Sequence, residues 1–229
     1  MEHWQAVYLH QDRWLWLLNG LGATLVLTLI ALATGLVIGL LISLIRVSYQ
    51  AGAPIAFLNS LAELYIAVLR GTPVTLQLMI IYFGLFAQLP VNRIVAAGLA
   101  FGINSGAYVA EIFRAGIDSV DGGQLEAARS LGMPYLMAMR LVVLPQATRN
   151  VLPTLLNEAI ALLKETAVAG YIAVGDLTRA ANNIRTKTYD MGPLYASALI
   201  YLAIVLLMTA ALHRLERHLK QRDRATASL

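Results

Sequence analysis

Residues 123–145, GQLEAARSLGMPYLMAMRLVVLP, form a long polar-to-amphipathic insertion between two strongly apolar segments, and the layout of the chain follows from how they are read. Glu126, Ala127, Ala128 and Arg129 favour a helix, and Gly132 followed by Pro134 interrupts that run after about two turns. The adjacent alanines give a surface that another protein can approach closely, and Glu126 and Arg129 are spaced for an i,i+3 ion pair. A short helix of this kind between membrane segments reads as a cytoplasmic docking helix. The blander reading is an amphipathic helix lying on the bilayer.

Of the 229 residues, 59% are hydrophobic and 13% charged, with a mean hydropathy of +0.67. That is too apolar for a soluble domain of this length. The expected class is an all-α integral membrane protein, one bundle with no room for a separate catalytic domain. The absence of cysteine excludes disulfides, thiolate nucleophiles and Cys-bound metal. A net charge of +4 could suggest nucleic acid, but the basic residues cluster at the ends of apolar segments and in the C-terminal tail, where membrane orientation explains them. No nucleic-acid partner is expected.

A single transmembrane domain over residues 1–229 is read with five spans, at about 21–45, 73–89, 92–113, 151–174 and 193–212, and a coupling region at about 115–150. Glu2, Asp12 and Arg13 with Trp4, Trp14 and Trp16 make a polar, aromatic lead-in. The apolar run that follows is too long for a secretory signal and ends at Arg46, as a retained span should. Gly35 and Gly39, and then Gly98, Gly102 and Gly106, form small-residue stripes that let helices approach closely, either within one copy of the chain or between copies. Residues 55–70 fit an amphipathic surface helix or, alternatively, a sixth full span. Arg70-Gly71-Thr72-Pro73 ends that helix, and Pro73 can open the next segment. The fourth segment carries Asn157, Glu158, Lys164, Glu165 and Thr166, so it cannot face lipid throughout. Residues 175–192 read as an external loop or surface helix. RLERHLKQRDR reads as a basic helical tail.

With the N-terminus outside, the arginines of 46–70 and 114–149 and the basic tail of 214–224 fall inside. Arg13, Arg93, Arg179, Arg185 and Lys187 stay outside. The positive-inside rule therefore favours N-out, C-in.

Glu126-Ala127-Ala128, then Gly132, then Val142, Leu144 and Pro145 resemble the EAA loop of ABC-importer permeases, E-A-A-x3-G-x9-I-x-L-P, with Val142 replacing the isoleucine. Nearly the whole chain from Gly20 resembles the polar amino-acid branch of that family. The matching elements are Asn19-Gly20-Leu21, Arg70-Gly71-Thr72-Pro73 with Gln77-Leu78, Asn104-Ser105-Gly106-Ala107-Tyr108 with Glu111, Leu144-Pro145-Gln146-Ala147, Leu152-Pro153 with Asn157-Glu158, and Lys164 with Thr166. Ala167-Val168 departs from the Ser-Leu of many members. The resemblance implies five-span subunits of the bacterial inner membrane that work in pairs, as two copies or with a paralogous permease. It further implies two ATPase partners and a periplasmic or extracellular amino-acid-binding protein. Glu126, Ala127, Ala128, Arg129, Gly132, Leu144 and Pro145 are then the expected ATPase-coupling residues.

Other chemistries find no support. There is no G-x-x-x-x-G-K-[ST], so ATP and its magnesium would be held by a partner chain, and this chain is expected to bind no cofactor and to be no enzyme. His3, His10, His213 and His218 lie near the ends without metal-like clustering, and neither G-x-S-x-G nor H-E-x-x-H occurs. A secondary transporter or channel would call for internal repeats or a coupling-ion site, and no repeat is present.

The substrate-pathway candidates are Asn104, Ser105, Tyr108, Asn157, Glu158, Lys164 and Thr166, the polar groups set in apolar spans. An α-amino acid needs acceptors for its ammonium and donors for its carboxylate in a low-dielectric site. Lys164, about 16 Å along a helix from Pro153, would lie near mid-bilayer. Glu165 is adjacent in sequence but on another helix face. Internal pairing within the bundle and contact with substrate are both open to these charges, and Glu111 is expected to pair with Arg114 or a neighbouring segment. A cavity-facing Glu158 would favour arginine, lysine, ornithine or histidine. Glutamine, glutamate, other polar amino acids or opines are the alternatives. The expected mechanism is alternating access.

Overall fold

The structure, a computed structural model, describes residues 5–227, with no side-chain description for residues 5, 6, 220 and 222–227. Glu2, His3 and Trp4 of the lead-in thus lie outside the described residues, as do the side chains of Lys220, Arg222 and Arg224. Short helical turns over 5–12 lead into α1 (Arg13–Gln50), α2 (Ala56–Gly71) and α3 (Val74–Ile81), which continues through a wide turn over Tyr82–Phe86. Then come α4 (Arg93–Asp118), α5 (Gly122–Ser130), α6 (Tyr135–Ala138), α7 (Leu144–Glu165), α8 (Leu177–Thr188) and α9 (Gly192–Ala227). No strand occurs among the described residues.

Three of these helices are long and apolar enough to cross a bilayer: α1 with its preceding turns, α4 and α9. The pair α2 and α3 passes the same test together but bends by 116° at its break. The sixth-span alternative for 55–70 therefore meets a bent pair rather than two straight spans. The bend follows from Arg70-Gly71-Thr72-Pro73. Thr72 is extended (φ −124°, ψ 154°), as a residue before proline prefers, and Pro73 cannot continue the ladder. Carbonyls freed by such a break are costly in apolar surroundings. The buried Gln77 amide answers two of them, donating to the Leu69 carbonyl at 2.9 Å and to that of Thr72 at 2.9 Å.

The centre of the bundle is α1 against α4. A side chain at Gly98 would come within 2.6 Å of Ile30, one at Gly102 within 2.5 Å of Thr34, and one at Gly106 within 2.7 Å of Ile38. Reciprocally, Gly35 abuts Ser105 and Gly39 abuts Val109. Both glycine stripes are thus consumed inside one subunit, which removes them as interfaces between permease copies. The contacts advance in step along both sequences, so α1 and α4 run parallel. The chain between them must return, and α3 does so, from Gln77 beside Asn104 toward the start of α4. α7 runs antiparallel to α4, meeting it at Gly116 through Val151 and at Ser105 through Glu158. In α9, Gly192 lies by Tyr8, and Tyr201 accepts a hydrogen bond from Thr178, the neighbour of a residue bonded to Thr24. α9 therefore runs parallel to α1. Leu27, Ala31, Leu78, Ala97, Ala100, Phe101 and Leu162 fill the main core.

One element boundary differs from the sequence reading, and one choice it left open, between loop and surface helix, is decided for helix. The helix of α7 starts well before Val151: it runs on from α6 through a wide helical turn over Met139–Val143, which lies directly before Pro145 and accommodates its missing N–H. Most of 175–192 is a packed helix. α8 buries Leu177, Ala180, Ala181 and Ile184 against the start of α1, and Gly20 exists because any side chain there would strike Ala180 and the Asp176 carbonyl.

Candidate functional site

On α7, Thr154, Asn157, Glu158 and Ala161 share one face at the i, i+3, i+4, i+7 spacing. On α4, Tyr108, Glu111, Ile112 and Ala115 do the same. The two faces oppose each other across an open cleft of about 520 Å³, which Arg70 and Arg114 also line. The helices touch at both ends of this cleft. At one end Val151 packs onto Gly116, where a side chain would overlap it, and Asn150 donates to the Ser119 hydroxyl at 2.8 Å. At the other the buried Ser105 hydroxyl donates to Glu158 at 2.9 Å. Eleven residues of α4 separate those ends, roughly 16 Å.

The cleft is polarised. One wall carries Glu111, held by three arginines from three helices: Arg46 of α1 at 2.6 Å, Arg70 of α2 at 3.3 Å and Arg114 of α4 at 3.0 Å. Arg114 also pairs with Asp118 at 2.6 Å, and the Arg70 guanidinium lies 5.6 Å from the centre of the Tyr108 ring. Cations outnumber carboxylates at this cluster. Toward the other end Glu158 is half-buried, accepts from Ser105 and takes part in no ion pair among the described residues.

Of the sequence-predicted candidates, Tyr108, Asn157 and Glu158 line the cleft, and Ser105 supports Glu158. Asn104 does not reach it. Its amide donates to Gln77 at 2.6 Å, bracing the α2–α3 corner against α4. Lys164 is exposed away from the cleft, and Thr166 is buried with its hydroxyl on the Leu163 carbonyl at 2.7 Å. Arg70 is a cleft residue that the sequence placed only in the bend before Pro73, and Glu111 and Arg114 were read only as a structural pair, which they form. The i+3, i+4, i+7 stripe from Tyr108 carried the signal for Glu111. Nothing local marked Arg46 or Arg70 as its partners.

The coupling candidates lie together beyond the Gly116 end. Glu126, Ala127 and Arg129 are exposed on α5 and Ala128 is buried; the expected ion pair between Glu126 and Arg129 is not formed among the described residues. Asp121 caps α5 by accepting from the Gly123 amide at 2.8 Å. Gly132 ends the helix in the left-handed region (φ +84°), with the Gly132 amide on the Arg129 carbonyl and the Met133 amide on that of Ala128. Leu131 and Leu136 beside this turn are 81% and 75% exposed. Leu144 and Pro145 open α7, so the segment that carries these candidates passes directly into the cleft helix.

Residues 35–221 match the family of binding-protein-dependent transport system inner membrane components. The chain is 41% identical over 210 residues to the arginine transport system permease protein ArtQ of Bacillus subtilis (strain 168), covering 90% of this chain and 94% of that one. It is 39% identical over 208 residues to the glutamine transport system permease protein GlnP of Escherichia coli (strain K12), covering 89% and 93%. A crystal structure of an amino acid ABC transporter with histidines superposes with a TM-score of 0.84 at 42% identity, covering 92% of this chain and 98% of that one. An inward-facing MetNI methionine ABC transporter shares the fold at 21% identity, with a TM-score of 0.76 over 89% and 95% of the two chains.

Proposed function

This chain belongs to the family of binding-protein-dependent transport system inner membrane components, and from that premise we propose that it is the permease subunit of an ATP-driven amino-acid importer in the bacterial inner membrane, with basic amino acids as its cargo. The observation that carries the cargo is the state of the two cleft carboxylates. Glu111 is neutralised by three arginines, which leaves Glu158 as the cleft acid outside any ion pair. A cation in the cleft recovers the cost of holding that carboxylate in a poorly solvated place. Arg70 and Arg114 offer donors for a substrate carboxylate on the facing wall. Likeness to permeases named for arginine and glutamine makes a neutral polar amino acid the second reading.

The alternation of direction, with α1, α4 and α9 one way and α3 and α7 the other, favours five spans with the two ends on opposite sides, and the distribution of Lys and Arg favours the N-terminus outside. A second full crossing between α1 and α4 would make that pair antiparallel. The half-cleft is completed by a second permease copy or a paralogue. ATP and magnesium sit on a partner ATPase dimer that covers Leu131, Leu136 and α5, and a binding protein delivers the amino acid outside. Alternating access then follows from α7 moving against α4, driven through Gly132 and α6.

Uptake measured with each amino acid tests the cargo. Arginine transport should fall about tenfold in Glu158→Gln, the worth of one charge-assisted contact. Unchanged arginine transport in that variant, or a preference for glutamate, would overturn the reading. Co-purification of an ATPase with the detergent-solubilised chain separates an importer subunit from a channel or secondary transporter.

A further inference from the structure

The reverse side of α4 carries a larger concavity. An open groove of about 700 Å³ lies between the later part of α1 and the first half of α7, with Phe113 and Ile117 of α4 at its floor and the α6 segment at one end. Leu40 and Leu44 form one wall, Leu152 and Leu155 the other, and no acidic side chain lines it. Its one charged group is Arg140, exposed and in no ion pair or hydrogen bond among the described residues.

The occupant follows from sidedness and charge. On α4, Phe113 and Ile117 lie roughly opposite the cleft-lining Glu111 and Ala115. If the second permease copy completes the pathway on the cleft side, as the importer reading requires, the groove opens to the bilayer. An apolar channel that ends at an unpaired arginine matches an acyl chain joined to an anionic headgroup. We propose that this groove holds an anionic phospholipid, its chain between α1 and α7 and its phosphate on Arg140. Arg140 stands between the Gly132 turn and the start of α7, so the lipid bears on the segment that links the coupling helix to the cleft.

Native mass spectrometry of the full chain with its co-purifying partners, released from nanodiscs of mixed phosphatidylglycerol and phosphatidylcholine, tests this. Phosphatidylglycerol should be retained in preference, the preference should fall about fivefold in Arg140→Gln, and Leu152→Trp, which fills the groove, should strip lipid of both kinds. Equal retention of the two lipids by the wild type, or an unchanged preference in Arg140→Gln, would overturn the assignment. A disulfide between Leu152→Cys residues of two copies would show a protein occupant and overturn it as well, together with the sidedness it rests on. Loss of the basic-cargo reading alone would leave lipid retention unaffected.

Discussion

Helix α4 takes part in two contacts of opposite character. Toward α1 the contact is built on glycines of both helices: Gly98, Gly102 and Gly106 of α4 receive Ile30, Thr34 and Ile38, and Gly35 and Gly39 of α1 receive Ser105 and Val109. Toward α7 it touches at the Gly116 and Ser105 ends and leaves a polar cleft between them. Close packing of the first kind has no intermediate arrangement to relax into, because any slide drives a side chain into a glycine. The second contact can open at one end while pivoting at the other. On the importer reading proposed above, α1 and α4 would act as one rigid body and α7 as the moving part, with the proposed coupling segment attached to the part that moves.

The sharpest way to break this comparison is at the coupling turn. Gly132→Asp should abolish uptake while membrane insertion stays normal, since on the docking reading its carboxylate would be buried, uncompensated, against the partner ATPase, although open space surrounds this turn in the isolated chain. Gly132→Asn, which tolerates the left-handed region, should retain measurable uptake. Normal transport by the aspartate variant would detach the turn from coupling.

A change in the rigid pair should act on stability instead. Gly102→Val would place methyl groups against Thr34 and the Ala31 carbonyl, costing about 1–3 kcal/mol or more. A lowered unfolding temperature in detergent would follow, whereas Gly22→Val on the same helix as Thr34, with nothing near its Cβ, should leave it unchanged.

Much of this layout was legible in the sequence, and the missing parts share a cause. Hydropathy marked α1, α4 and α9, and Arg70-Gly71-Thr72-Pro73 marked the bend. The glycine stripes announced close approach but not the partner, because a four-residue spacing fits any helix. Glu111 lies 65 and 41 residues from Arg46 and Arg70, so only the fold brings those charges together. Asn104 resembled a pathway residue because a polar group in an apolar span looks alike whether it meets substrate or, as here, the Gln77 side chain. The early start of α7 was missed because residues 144–150 carry too many polar side chains to read as part of an apolar span.

The smallest effect concerns α8, which packs on the start of α1 and does not line the cleft. Asp176 caps it, accepting from the Thr178 amide at 3.0 Å and the Arg179 amide at 3.2 Å, and Asp176→Ala should cost about 1 kcal/mol. Burial pushes the Asp176 carboxyl above its ordinary value, against the lowering effect of those amides. The folded state therefore binds this proton more tightly than the unfolded state. Its contribution to stability declines as pH rises from the ordinary carboxylate range through the raised value. Unfolding followed against pH should show that decline flattened in Asp176→Asn.

Electron-spin distance measurements on the assembled transporter, with and without ATP bound to the partner ATPase, test the division into two bodies most directly. Labels at Leu41→Cys on α1 and Ala115→Cys on α4 should keep one distance distribution in both states, while labels at Ala115→Cys and Thr154→Cys, across the cleft, should shift. An equal shift in both pairs, or a shift confined to α1 and α4, would contradict the account.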